Sequence, residues 1–284
     1  MSIAIIADPK QKNQIMPLVN KAEEIFDKSV YAPVNEIRIK TGGESKILHK
    51  SIDLLSFGCI LPIPSPENID IFLSIASILE DDEVYMPYSL EGLLLFQRKA
   101  LGISKLRENG FSVPNMHYLL SDKTVEGILN QIEFPVLLSV GHKSYKVDDK
   151  RHLIGMVRLR RPGQGIMISE VLEDPVIECL VVGNEVIASV ERTRKLRSIK
   201  VGSSLQQTAV SAVHTLKSDY GIISFSGDKI VSFSLSPDFN VLEKVTVKSV
   251  SSSLLHHMEQ NAKLEEEKTV WKTIMDALKV NKVF

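Results

Sequence analysis

The chain has 284 residues, 44 % apolar and 24 % charged, with a net charge of −1. That length can bury one large core or two to three smaller ones, and the balanced charge excludes a globally basic binder of nucleic acid or membrane surface. No run approaches the roughly 20 apolar residues that span a bilayer. Cys59 and Cys179 lie in apolar runs and read as reduced core thiols without a disulfide framework. The chain opens on a strand-like run with no basic segment before it, so no signal peptide is expected and the expected compartment is the cytoplasm.

Ser2–Ala7 has a buried-strand pattern, broken by Asp8-Pro9. The spacing of Ile15, Met16, Val19, Ala22 and Ile25 predicts a helix over 13–28. Short strands are expected at Glu36–Lys40 and Ser45–His49 around Gly42-Gly43, and a buried strand at Ser56–Pro62. Ile69–Leu79 is an amphipathic helix, Glu80–Glu83 a solvated break, Val84–Pro87 a short strand, and Ser89 suits the N-cap of the helix after it. Strands and helices alternating at this size indicate an α/β first domain of about a hundred residues.

Gln97–Asn109 reads as a helix with Ile103 and Leu106 inward, and Gly110 suits the left-handed position after it. Ser121 or Asp122 caps a helix through Ile132, and Phe134–Val140 is a strand. Gly141–Val147 reads as a turn carrying Lys143 and Lys146, Arg151–Arg161 as a basic strand, Gly163-Gln-Gly165 as a connector and Ile166–Val171 as a strand. Val176–Arg192 holds two β-rich runs about Gly183-Asn184, a dipeptide suited to a hairpin turn. A basic loop, Thr193–Lys200, precedes a helix over Gln206–Lys217 with Ala209, Val210, Val213 and Leu216 on one face. Gly221–Phe225 and Lys229–Leu235 form a hairpin across Gly227-Asp228. Two helical patterns follow, Val247–Met258 and Leu264–Leu278, the second aligning Leu264, Trp271, Met275 and Leu278. Glu265-Glu-Glu267 reads as a solvated helix face, and the adjacent His256-His257 make a poor metal pair on a helix. Asp8 follows the first strand without a Gly-rich phosphate fingerprint, which argues against a dinucleotide site.

Several segments, in order, resemble RimK-type ATP-grasp ligases, relatives of glutathione synthetase. Arg98-Lys99 followed by Gly110-Phe-Ser-Val-Pro114 is similar to that family's Asp-Lys and Gly-Ile-Pro-x-Pro. Phe134-Pro135-Val-Leu-Leu is similar to its phosphate-lysine strand, and Cys179–Arg192 to its central hairpin. Ser232-Phe-Ser-Leu-Ser-Pro237 sits where the family has Glu-Val-Asn-x-x-Pro. The resemblance implies an α/β chain with the ATP-grasp fold: a pre-ATP-grasp domain over 1–97, an N-terminal lobe over 98–168, a C-terminal lobe over 169–255 and a helix over 256–284. It also implies ATP held with two magnesium ions, a carboxylate activated as an acyl phosphate, and an attacking amine.

Laid on this sequence, the family's metal-binding aspartate falls on Ile223, its glutamate on Ser232, its asparagine on Ser234 and its phosphate lysine on Ser139. Magnesium takes hard oxygen ligands, typically carboxylates and waters; isoleucine cannot ligate it, and a serine hydroxyl is at best a poor neutral ligand. The hairpin's Asp-x-Arg becomes Val176-Ile-Glu178, and the next loop's Arg-x-Asn becomes Arg197-Ser-Ile199. Cofactor-binding candidates are Lys99, Lys143, Glu170, Arg192 and Arg197; no catalytic and no metal-ligating residue is assigned. Lys99 reads either as a phosphate ligand or as a solvated helix lysine. Arg192 reads as a phosphate or carboxylate ligand, or as the ion-pair partner of Glu191, Glu178 or another neighbour. Lys143 or Lys146 is a substitute for the lost lysine or an exposed turn residue. Glu170 lies near the adenine segment of the family or is an edge-strand glutamate. The basic run Arg192, Arg194, Lys195, Arg197, Lys200 reads as a solvated loop or as a site for an acidic peptide or phosphate.

Three functions follow as expectations. The first is a degenerate ATP-grasp protein acting as a non-catalytic subunit or regulator, paired with an active paralogue or with itself. The second is a working carboxylate–amine ligase, using ATP and magnesium, with relocated metal ligands among Asp219, Asp228 and Asp238. The third is a binding module for a nucleotide, an acidic peptide or a small carboxylate. No nucleic-acid or membrane partner is expected.

Overall fold

The first strand, β1 (Ser2–Ala7), is buried at every position but its first. The chain then passes through α1 (Lys12–Ile25) to β2 (Lys28–Pro33), makes a small antiparallel sheet of β3 (Ile37–Lys40), β4 (Lys46–His49) and β5 (Ile52–Asp53), and returns in β6 (Cys59–Ile63). Parallel pairing on both sides of β1 gives the order β2-β1-β6. The sequence pattern extends α1 to Lys28 and gives no sign of β2. The helix stops at Ile25 because pairing with β1 claims Lys28–Pro33. This computed structural model describes residues 1–82, 84–140, 143–159, 165–172, 175–193 and 196–280, and for residues 143, 266 and 269–280 the backbone alone.

After α2 (Ile69–Asp81) the extended segment 84–89 crosses to the second half of the molecule. Asp219 N–H donates to Pro87 O at 2.7 Å and Ser89 N–H to Lys217 O at 3.1 Å. Ser89 Oγ accepts from Gly92 N–H and caps α3 (Leu90–Gln97) as its position predicts. The expected helix over 97–109 breaks at Arg98, and α4 (Lys99–Glu108) starts afresh there. Gly110 has φ +82°, the left-handed conformation expected after a helix.

A four-stranded antiparallel sheet follows, ordered β7-β10-β8-β9 from β7 (Met116–Leu119), β8 (Val136–Val140), β9 (Lys143–Val147) and β10 (Ile166–Glu170). It carries α5 (Asp122–Ile128), capped by Ser121, and α6 (Lys150–Arg158). Two expectations are corrected here. The basic run after Lys150 is helical, because Asp149 Oδ1 caps His152 N–H at 2.9 Å and Leu153 and Val157, four apart, are both buried. Residues 143–147 form a strand, because they pair with β8. A small separate core, including Leu138, Leu153, Val157, Ile166 and Ile168, joins the sheet to its helices.

The hairpin of β11 (Val176–Val182) and β12 (Glu185–Arg192) turns at Gly183, φ +58°. With β13 (Leu196–Ser198), β14 (Tyr220–Ser226) and β15 (Lys229–Ser234) it builds a five-stranded sheet, ordered β13-β12-β11-β14-β15. The expected basic loop thus contains a strand, paired through Val190↔Ser198. α7 (Ser203–Thr215) lies against β11, β12 and β14. α8 (Phe239–Val245) begins on the cap of Asp238, and α9 (Val250–Val280) runs unbroken through both C-terminal helical patterns. The expected face of Trp271, Met275 and Leu278 lies outside the described side chains, as do residues 163–164 of the connector and Arg194 and Lys195 of the basic run. One large core runs from β1 and β6 through α2 and α3 to β11, β14 and α9.

Candidate functional site

In a strand successive side chains alternate faces, so register assigns each residue to a side of its sheet. Across the four-stranded sheet Tyr118, Met167, Ser139 and Ser144 stand in one row. The opposite face, with Leu138 and Ile168, is buried against α5 and α6. The first row and the start of α4 border a half-open cavity of about 560 Å³, lined by Arg98, Lys99, Leu101, Tyr118, Ser139 and Met167 among others; none of the described lining residues is acidic. The first backbone N–H groups of α4 have no side-chain cap, which leaves partial positive charge at that end. Lys99 is half-buried, and among the described residues no carboxylate pairs with it. Burial pushes its ammonium below the ordinary lysine range. Ser139, where the resemblance places a phosphate lysine, exchanges a 2.8 Å hydrogen bond with Ser144 Oγ.

On the five-stranded sheet, Glu178, Ser224 and Ser232 stand in one row, and Leu180, Ile222 and Ser234 in the next. Ile223 pairs with Phe233 and belongs to the other face, where it is fully buried. That face meets α3 and α4: a Cβ on Gly221 would come 2.9 Å from Phe96 Cζ, and one on Gly102 would come 2.3 Å from Phe233 Cζ. The assignment of the metal aspartate to Ile223 is therefore corrected. The residues sharing a face with Ser232 and Ser234 are Ser224 and Ile222, and a one-residue slip along a strand exchanges the faces.

Among the described residues, the carboxylate beside Ser224 on that face is Glu178, and it is occupied. Arg192 Nε lies 2.7 Å from Glu178 Oε1 and Nη2 lies 2.9 Å from Oε2, a bidentate pair. The hydrogen bond to Glu178 holds Arg192 above its already high range, against a smaller opposing effect of burial. Arg197 pairs instead with Glu191 at 2.7 Å, and the Glu191↔Arg197 register sets it on the opposite face from Arg192. Glu170 ends β10 and takes Lys229 Nζ at 2.8 Å and Asn115 N–H at 3.0 Å on Oε1. The Lys229 hydrogen bond holds its carboxyl below the usual range, outweighing burial. Lys143 belongs to β9, and its side chain lies outside the described residues. Lys146 stands opposite Leu137 and is exposed. Of the cofactor-binding candidates whose side chains are described, Lys99 alone lines the cavity described above. Arg98 entered the sequence reading only as the neighbour of Lys99, and Tyr118 and Met167 not at all; the available signal for those two was their alternation along short strands, which acquires meaning only once the pairing is known.

Of the three aspartates weighed as relocated metal ligands, Asp219 and Asp238 have partners elsewhere. Asp219 accepts from Tyr85 OH at 3.0 Å and lies 3.8 Å from His257 Nε2. Burial pushes Asp219 up, but the adjacent His257 imidazole and the Tyr85 hydrogen bond outweigh it, and the carboxyl sits below its usual range. Asp238 caps α8, and Asp228 is exposed at the β14–β15 turn. His256 lies 3.6 Å from Glu259, and His257 faces Asp219, so the two imidazoles diverge. Magnesium, which the resemblance implies, does not fit this donor set: the serine face offers hydroxyls, and its carboxylate is held by Arg192. Among the described residues, no group of three His, Cys, Asp or Glu side chains is placed to hold a metal.

No family model matches the chain, and no curated protein matches it in sequence. Solved structures match it in shape. The ATP-grasp ligase PsnB, complexed with precursor peptide PsnA2 and AMPPNP, superposes with a TM-score of 0.72 at 11 % identity, over 92 % of this chain and 97 % of that one. The macrocyclase MdnC from Microcystis aeruginosa MRC, bound with precursor peptide MdnA, gives 0.70 at 10 % identity, over 92 % and 100 %. A RimK domain ATP-grasp protein from Sphaerobacter thermophilus DSM 20745 gives 0.70 at 16 % identity, over 91 % and 99 %. Among the described residues no helix is long and apolar enough to cross a membrane. With TM-scores of 0.70 to 0.72 over more than nine-tenths of both chains, the chain has the ATP-grasp fold.

Proposed function

We propose that this chain is a RimK-like ATP-grasp protein that holds a phosphate-bearing ligand of the nucleotide class without turning it over. It acts as a non-catalytic subunit or regulator, beside an active ATP-grasp chain or a second copy of itself. The observation that carries this reading is the cavity at the start of α4. Arg98 and Lys99 line it, no carboxylate among the described residues does, and Tyr118, Leu101 and Met167 supply an apolar wall. Such a cavity attracts an anion with an apolar body and gives a divalent ion no ligand. The serine face, lacking a free carboxylate, supports the absence of phosphoryl transfer. Loss of even one electrostatic stabiliser typically lowers a rate by about 100- to 1000-fold. Two of the structural neighbours carry precursor peptides, which supports a peptide as the second ligand class.

Thermal unfolding with ADP tests this reading. ADP raises the midpoint equally in EDTA and in magnesium, Lys99→Ala abolishes the rise, and ATP is not hydrolysed. A ligand at 100 times its Kd stabilises by about 2.7 kcal/mol, well within detection. Magnesium-dependent release of ADP from ATP would overturn it.

A further inference from the structure

We infer that Glu178 is an internal counter-anion that keeps Arg192 closed, so that an oxyanion, phosphate or carboxylate, gains this guanidinium only when Glu178 releases it. The inference rests on the reading that the protein takes a phosphate-bearing ligand, and it adds how a second anion-binding group is controlled. The two residues lie on neighbouring strands, diagonal to each other on one face: Glu178 stands opposite Val190, and Arg192 opposite Val176. Their two parallel hydrogen bonds, 2.7 and 2.9 Å, use the side of the guanidinium fork that a phosphate or carboxylate would use.

The pair is unequal in exposure. The Arg192 side chain is 56 % exposed, within reach of a ligand, whereas Glu178 is 15 % exposed. Among the described residues no second cation bonds to Glu178, and its neighbours along the face are Val190, Ser224 and Leu180. An outside anion that takes Arg192 leaves a largely buried carboxylate unpaired, and that penalty opposes binding. Removing the charge of Glu178 removes the penalty and frees the fork.

Calorimetric titration with magnesium-free ADP, and separately with inorganic pyrophosphate, decides the matter. Glu178→Gln tightens both probes at least tenfold relative to the unmodified protein, and Glu178→Gln/Arg192→Gln loses the gain. Glu178→Ser, which matches the serines of the adjoining strands, releases Arg192 by a different side chain and gives the same gain should the glutamine variant fold poorly. Unchanged or weaker affinity in both variants overturns the latch. Lys99→Ala separates the two ideas: if it abolishes ADP binding while the Glu178 variants gain nothing, the latch fails and the nucleotide reading stands. If Lys99→Ala leaves binding intact, the nucleotide reading fails and the latch fails with it.

Discussion

Lys229 Nζ reaches Glu170 Oε1 at 2.8 Å, and this ion pair ties the end of the four-stranded sheet to the edge strand of the five-stranded one. Both side chains are about one-third exposed, so solvent screens the pair and its worth is at most about 1 kcal/mol. The folded-state pKa of Glu170 lies below its unfolded value, chiefly through the Lys229 hydrogen bond. Its contribution is full above the unfolded carboxylate pKa of about 4.3 and fades as pH falls through the lowered folded value. Lys229→Met therefore lowers the urea midpoint slightly at neutral pH. Midpoints of the two proteins converge once the pH falls below the folded pKa of Glu170.

The register of β14 against β15 makes a sharp contrast between neighbours. Ile223→Asp places a carboxylate in a fully buried site with no cationic partner and costs on the order of 3–5 kcal/mol. Ser232→Asp lies on the other face of the sheet, at a half-buried position of the edge strand, and costs much less. Urea unfolding of both variants checks this. A smaller loss for Ile223→Asp than for Ser232→Asp would mean that the strand faces are exchanged.

Gly102 lets α4 approach the sheet. Its Cβ would meet Phe233 Cζ at 2.3 Å and Leu95 O, a backbone atom, at 2.7 Å. Gly102→Ala forces a shift of helix or ring and destabilises by about 1–3 kcal/mol, despite the better helix propensity of alanine. A thermal midpoint no lower than that of the unmodified protein would contradict this packing.

Tyr85 and Asp219 join the early extended segment to the start of β14. Tyr85→Phe removes the hydroxyl donor and costs about 1 kcal/mol, reduced because Asp219 is partly solvated. Asp219 also loses one of the groups that lower its pKa, so its carboxyl titrates at higher pH in the variant. Carboxyl-resolved NMR titration reads this shift directly.

Short-range chemistry made much of the fold legible. Ser89 and Ser121 sit at helix starts, Gly183 and Gly110 adopt positive φ, and β1, α2 and the β11–β12 hairpin occupy the stretches their patterns mark. The misreadings share a cause. Lys28–Pro33 and Lys143–Val147 have weak local patterns and become strands because β1 and β8 are there to pair with them. The basic segment after Lys150 became a helix through one cap and two apolar residues four apart.

The site divides in the same way. Sequence alone determined which residue types stand at each position, including serines where the ATP-grasp resemblance calls for a glutamate, an asparagine and a lysine. It also named Glu178 among the possible partners of Arg192. Only the tertiary structure decided that Ile223 faces the core, that Arg192 is bonded to Glu178 and Arg197 to Glu191, and that Lys99 lines a cavity with Tyr118 and Met167. The reason is physical. Caps, turns and helix faces are set within a few residues of chain. The face a strand residue presents depends on its pairing register, and a charge's partner on a neighbouring strand depends on which strands meet.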